Sequence, residues 1–310
     1  MIVDVLLVAA GLGLLVFGGD LLVKGAVNLS LRLGITPLVV GLTVVAFGTS
    51  APELLVSMSA ALKGSTDIAM GNVVGSNIAN VLMILGATAL VSGIVTRGHD
   101  LRESWAMMIA ATVLLIALAF LGPLGVPQGA ILLVALGLVL WRQLSTARTE
   151  NQDASELEGA ALGARWRQIS LWLIGGLVAL PVGANMLVSG ASEIALAFGI
   201  SEAVIGLTLV AVGTSLPEMA ASVASALRGR ADMALGNVVG SNIFNLLSIL
   251  GLTALVAPLP IPPEMLRLDL WVMLASSLLL APFLFRGIPI NRPVGAAFVL
   301  AYCAYVWVLL

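Results

Sequence analysis

Glu53 and Glu218 are the residues of this sequence best placed to do chemistry. Each lies within a long apolar segment, where an ionisable acid is out of place unless it works. On insertion scales an acid at mid-bilayer depth costs about 2.5–3.5 kcal/mol, so such a residue marks a functional site by default. The two acids close the same string, Gly48-Thr49-Ser50-Ala51-Pro52-Glu53 and Gly213-Thr214-Ser215-Leu216-Pro217-Glu218. Pro52 and Pro217 have no N–H, so a helix cannot bond normally to the carbonyls of Gly48 and Gly213, and those glycines loosen it further. Backbone carbonyls near Ala46 to Thr49 and near Ala211 to Thr214 are therefore expected to face a ligand. The hydroxyls of Thr49, Ser50, Thr214 and Ser215 add more oxygen. In the next span Asn72, Ser76 and Asn80 recur every four residues, as do Asn237, Ser241 and Asn245. On a helix each trio shares one face. Gly71, Gly75, Gly236 and Gly240 let that face approach a neighbour closely. No His or Cys belongs to this set. Carboxylates, hydroxyls, amides and carbonyls suit hard cations such as sodium, magnesium and calcium, whereas zinc and copper prefer nitrogen or sulfur. Two carboxylates neutralise one divalent cation, or are shared by two or three monovalent ones.

The elements that must position these groups follow from composition. Of 310 residues, 60% are hydrophobic and only 10% are charged. A soluble domain carries roughly 25% charged residues, so the solvent for most of this chain is lipid. Apolar runs of about 20 residues cross a bilayer as helices. They are too long and too continuous for the alternating strands of a barrel. The expected architecture is an all-α membrane protein of ten transmembrane helices, at 2–27, 36–60, 68–92, 104–121, 127–144, 169–197, 202–226, 233–256, 268–285 and 293–310. The polar stretch 146–168 divides it into a first half, 1–145, and a second, 169–310. Placing both termini outside the cytoplasm puts 12 of the 14 basic residues in cytoplasmic loops, as the positive-inside rule requires.

The halves are copies. Residues 36–86 align with 201–251 without a gap, at an offset of 165, and 30 of the 51 positions are identical. Five spans per half is an odd number, so equivalent spans cross in opposite directions. Inverted repeats of this kind build secondary transporters that bind their substrate near the midplane, where the repeats meet. The two halves agree best in their polar strings, which a lipid-facing scaffold would not require.

The paired GTSxPE and GNxxGSNxxN motifs resemble the α-repeats of the sodium/calcium exchangers, within the calcium/cation antiporter superfamily. The resemblance implies alternating access through ten helices, with helices 1 and 6 sliding past the ligand-binding core, and exchange of three sodium ions for one calcium. It implies that Glu53 and Glu218 are the central cation ligands. Supporting roles fall to the backbone carbonyls of Ala46, Thr49, Ala211 and Thr214 and to Ser50, Ser76, Asn80, Ser215, Ser241 and Asn245. Some relatives carry Asp where this chain has Asn245, which lowers the negative charge of the pocket and argues against potassium co-transport. Proton/calcium relatives place an acid after the GN of the second motif. Here both halves read GNVVGSN, as a sodium-type pocket would. A short central linker without calcium-sensing domains suggests a prokaryotic protein of the plasma membrane.

Other classes fit less well. A proton/cation antiporter using the same two glutamates is the alternative within transporters. Channels favour rotational over inverted symmetry. An enzyme would need a nucleophile beside its base, and none accompanies the glutamates. There is no basic run for nucleic acid, and no cofactor or protein partner is implied; the partners are the two ions and the bilayer. Asp20 and Lys24, spaced i, i+4, are expected to form an interfacial ion pair.

Overall fold

The computed structural model describes residues 2–96, 101–146, 161, 164–199 and 211–309. All regular elements among them are helical, apart from two isolated antiparallel bridges. In chain order they are α1 (Ile2–Leu33), α2 (Pro37–Thr49), α3 (Ala51–Leu62), α4 (Thr66–Ser92), α5 (Arg102–Phe120), α6 (Val126–Thr146) and α7 (Trp166–Ala197). A helical turn at Ala211–Gly213 precedes α8 (Leu216–Leu227), α9 (Ala231–Val256), α10 (Met265–Arg286) and α11 (Arg292–Leu309). Eight of these are long and apolar enough to cross a membrane, and α2 with α3 makes a ninth span bent by 42°. The span expected at 202–226 is described only from Ala211 onward. Most of the linker 146–168 also lies outside the described residues. The protein is an all-α integral membrane protein, and helix ends fall within a few residues of those expected.

Burial separates the helices into layers. In α4 and α9, 83% and 89% of the most apolar stretch is buried, against 22% in α1 and α7, 17% in α6 and 11% in α11. The two GNVVGSN helices are therefore the axis of the molecule. The apolar outer helices present side chains such as Phe17, Val134, Leu171 and Trp307 to lipid. At 32 residues each, α1 runs past its expected end to Leu33 and α7 begins before its expected start, at Trp166. A helix of that length spans about 48 Å, more than the roughly 30 Å of hydrocarbon, so tilt or protrusion is required.

Inversion of the repeat is visible in how α1 meets α7. A Cβ at Gly11 would lie 2.7 Å from the Gly183 carbonyl oxygen, one at Gly176 would lie 2.8 Å from that of Gly18, and one at Gly190 would lie 2.6 Å from that of Asp4. Partner numbers fall along α7 as they rise along α1, so the helices are antiparallel. Yet Gly11, Gly18 and Gly25 are the repeat counterparts of Gly176, Gly183 and Gly190. Equivalent helices thus run in opposite directions. The glycines recur every seven residues on each helix and let the backbones touch, the small-residue packing that membranes favour where no hydrophobic effect draws helices together. Two bridges tie the halves again, Ile94 with Ile290 and Leu124 with Leu259, each with both N–H···O bonds at 2.9 Å.

The expected Asp20–Lys24 pair does not form. Asp20 instead accepts from the Arg228 guanidinium at the end of α8, with Nε at 2.9 Å. Lys24 lies over the Trp172 ring, 4.4 Å from its centroid. An i, i+4 pair is worth only a few tenths of a kcal/mol, and tertiary partners outcompete it. Arg228→Ala should lower stability by at most about 1 kcal/mol, because half-exposed ion pairs contribute little; a thermal unfolding scan of the purified protein checks this.

Candidate functional site: a buried oxygen cluster between the repeats

The bent pair α2–α3 breaks at Ser50, where φ is −83° and ψ is 3°. The second repeat breaks in the same way at Ser215, with φ −89° and ψ 2°. Each break falls two residues before a proline that cannot donate backward. The carbonyl end of α2 therefore stops at Thr49, and Glu53 sits in the first turn of α3. Negative helix ends favour cations, and positive ends favour carboxylates, so the break supports both partners of an ion site. Not every carbonyl is free, however. That of Ala46 accepts from the Ser50 amide at 3.0 Å and from the Thr49 hydroxyl at 3.3 Å. Gly48 and Gly213 have a role beyond loosening the helix. A side chain at either would collide with Leu177 or Val188 of α7, which packs across both breaks.

Both glutamates are buried, each about 1% exposed. Ser50 Oγ donates to Glu218 Oε1 at 3.0 Å, which joins the first repeat's break to the second repeat's acid. The i, i+4 stripes of α4 and α9 divide by role. Asn72 donates to the Glu53 carbonyl at 3.2 Å and to Ser57 Oγ at 2.9 Å. Asn237 does the same to the Glu218 carbonyl at 3.2 Å and to Ser222 Oγ at 3.0 Å. Both amide groups are thus spent on bracing the glutamate helices. One and two turns further on, the groups are differently used. Six buried oxygens in the two motifs have no hydrogen-bond partner: Glu53 Oε2, Glu218 Oε2, Asn80 Oδ1, Asn245 Oδ1, Ser215 Oγ and Ser241 Oγ. Buried polar atoms are nearly always paired, so each exception needs an explanation. Here all six are oxygens that can accept, drawn from the residues expected to hold a cation. Ser76 is buried on the same stripe. Thr49 Oγ1 also makes a long contact of 3.4 Å with Asn237 Oδ1. Thr214 and Ala211 flank the second break, at the edge of the described residues.

At Asn80 and again at Asn245 the helix widens into a π-helical turn, Asn80–Ile84 and Asn245–Ile249. Such bulges are frequent at functional sites. Sequence reasoning missed Asn77 and Asn242, Ser57 and Ser222, and Met108 and Met273, all in contact with the motif residues. The available signal was identity at the offset of 165, which all three pairs obey.

The α8–α9 side of the cluster is closely packed. On α9, a Cβ at Gly240 would lie 2.5 Å from the Leu42 carbonyl oxygen, and one at Gly236 would lie 3.0 Å from Leu38 Cδ1. On the α9 side, α1 also presses on α8, with a Cβ at Gly19 meeting the Ala220 carbonyl oxygen at 3.0 Å.

The family model described as sodium/calcium exchanger protein matches residues 3–145 and 169–310. The sodium/calcium exchanger MaX1 of Methanosarcina acetivorans is 34% identical over 344 residues, covering 99% of this chain and 98% of the relative. The inner membrane protein YrbG of Escherichia coli is 37% identical over 297 residues, covering 93% and 91%. Among solved structures, the sodium-calcium exchanger NCX_Mj soaked with zero sodium and calcium superposes with a TM-score of 0.86 at 32% identity, covering 100% of this chain and 99% of that one. With the family model spanning both halves and relatives matching end to end, the chain is a transporter, not an enzyme, and belongs to the sodium/calcium exchanger protein family.

Proposed function

We propose that this protein exchanges sodium for calcium by alternating access, with Glu53 and Glu218 as the charged ligands of one central pocket. The observation that carries this reading is the set of six buried, unpaired oxygens. Two are carboxylate, two amide and two hydroxyl, within the six to eight oxygen ligands that calcium takes. Ser50, Ser76 and the backbone of Thr49, Ala211 and Thr214 supply further oxygens to be shared among sodium ions, while the Ala46 carbonyl already accepts two hydrogen bonds. Calcium with two ionised glutamates leaves the pocket neutral. Three sodium ions leave it at +1. A three-for-one cycle therefore moves one charge, worth about 2.3 kcal/mol per 100 mV. The absence of any further acid in either GNVVGSN string favours sodium over proton coupling. With both termini outside the cytoplasm of a prokaryotic inner membrane, the end of α8 that leads into Arg228 faces the cytoplasm.

The test is calcium counterflow. Purified protein in sodium-loaded liposomes, diluted into sodium-free buffer, is expected to take up radioactive calcium, faster when valinomycin and potassium clear the inside-negative charge that the cycle builds up. Uptake driven by a proton gradient and indifferent to sodium would replace this reading with proton/calcium antiport. Uptake insensitive to the clamped potential would overturn the three-for-one stoichiometry.

A further inference from the structure

An asparagine amide is ambiguous as a cation ligand, because its oxygen and nitrogen ends have nearly the same shape. Flipped, Asn80 or Asn245 would aim two N–H donors at the ion. Something must decide the orientation, and the hydrogen bonds around Asn242 supply it. Asn242 Nδ2 donates to the Asn77 backbone carbonyl at 3.3 Å and to Met108 Sδ at 3.6 Å. Neither a carbonyl nor a thioether can donate, so the nitrogen end of Asn242 is fixed there and its oxygen must face the other way. That oxygen can only accept. Asn80 meets it with Nδ2, at 2.9 Å. Asn80 Oδ1 is thereby turned away and left buried without a partner. The counterpart set repeats the geometry. Asn77 Nδ2 donates to Met273 Sδ at 3.6 Å, Asn77 Oδ1 accepts from Asn245 Nδ2 at 3.2 Å, and Asn245 Oδ1 is left unpaired.

We propose that Asn242 and Asn77 are positioning residues, each orienting the ligand asparagine of the opposite repeat so that its oxygen faces the cation. This rests on the reading of the cluster as a calcium site. The bonds cross between the halves: Asn242 orients Asn80, and Asn77 orients Asn245. Neither repeat can build its share of the pocket alone. Ordinary interhelical bonding would leave both ends of each amide satisfied, since a half-paired buried network is worse than none. The two orphaned oxygens are the departure from that pattern.

The test exploits the carboxylate, which presents oxygen whichever way it turns. Equilibrium binding of radioactive calcium is measured on the purified protein, monodisperse in detergent, for the wild type, Asn242→Ala, Asn80→Asp and the double variant. Asn242→Ala should weaken calcium binding about tenfold, the equivalent of roughly 1.4 kcal/mol. In the Asn80→Asp background the same substitution should cause no loss, and a gain fits equally, because no orientation remains to be set and Asn242 Oδ1 then faces a carboxylate oxygen that cannot donate to it. An equal loss in both backgrounds, as a packing defect would give, overturns the proposal, as does Asn242→Ala with wild-type affinity. If Asn242→Ala is not monodisperse, Met108→Leu, close in volume, removes one acceptor of Asn242 and should give a smaller loss that Asn80→Asp again abolishes. A wild type that binds no calcium would instead overturn the functional reading itself.

Discussion

Glu218→Gln and Glu53→Gln should each abolish calcium exchange while leaving the protein at least as stable as the wild type. The two effects have opposite signs for one reason. Both carboxylates are buried, and each has an oxygen with no hydrogen-bond partner. Without an ion, two such charges in a low-dielectric interior burden the fold. With calcium between them, each is the strongest ligand in the pocket. Even at an effective dielectric of 20, one unit pair at 4 Å contributes roughly 4 kcal/mol, so removing one charge should weaken calcium binding about a thousandfold. Gln keeps the shape and an oxygen, and Ser50 can still donate to position 218. Thermal unfolding with and without calcium separates the two effects. In the wild type, saturating calcium raises the midpoint, by about 2.7 kcal/mol of stabilisation at a hundredfold excess over Kd. In either variant that calcium-dependent rise should vanish while the apo midpoint holds or climbs. A variant that retains the rise would remove its glutamate from the ligand set.

Gly183→Leu, at the middle of the α1–α7 seam, should be among the most damaging substitutions on the outer helices. Its Cβ alone would stand 2.9 Å from the Gly11 carbonyl oxygen and 3.0 Å from the Leu15 nitrogen. Backbone cannot swing aside as a side chain can, so α1 and α7 must separate along the seam. Overpacking typically costs 1–3 kcal/mol, and contact with backbone places this case near about 3 kcal/mol, or roughly 5 °C in midpoint for a chain of this size. Gly13→Leu on α1 is the control. A Cβ at Gly13 meets no described atom within 4 Å, and leucine is the better helix former, so no loss is expected. Differential scanning of the two variants decides it, and equal midpoints would mean that the glycine seam does not hold these helices together.

The helical class, the boundaries of most spans and the inversion of the halves were legible in the sequence. They rest on properties that a single chain carries by itself. Apolar length fixes the spans. An offset of 165 with an expected odd number of spans in each half predicts the inversion, which the antiparallel α1 and α7 bear out, and polar residues in apolar runs mark the interior. The Ser50 and Ser215 breaks were legible for the same reason, because a proline withholds its donor whatever surrounds it.

Partner choice was not legible. Spacing alone set Asp20 beside Lys24, yet Asp20 reaches Arg228 and Lys24 reaches Trp172. Spacing also gave Asn72 and Asn80 the same standing on one helix face. Tertiary contacts spend Asn72 on the Glu53 carbonyl and Ser57, and leave Asn80 Oδ1 unpaired. Asn77 and Asn242 looked like ordinary motif residues until the two repeats were brought together. What the sequence determined by itself is everything set by local backbone chemistry and by the cost of polarity in lipid. What only the tertiary structure decided is which end of each polar side chain is used and which is left open, because a hydrogen bond is settled by the partner that arrives from another helix.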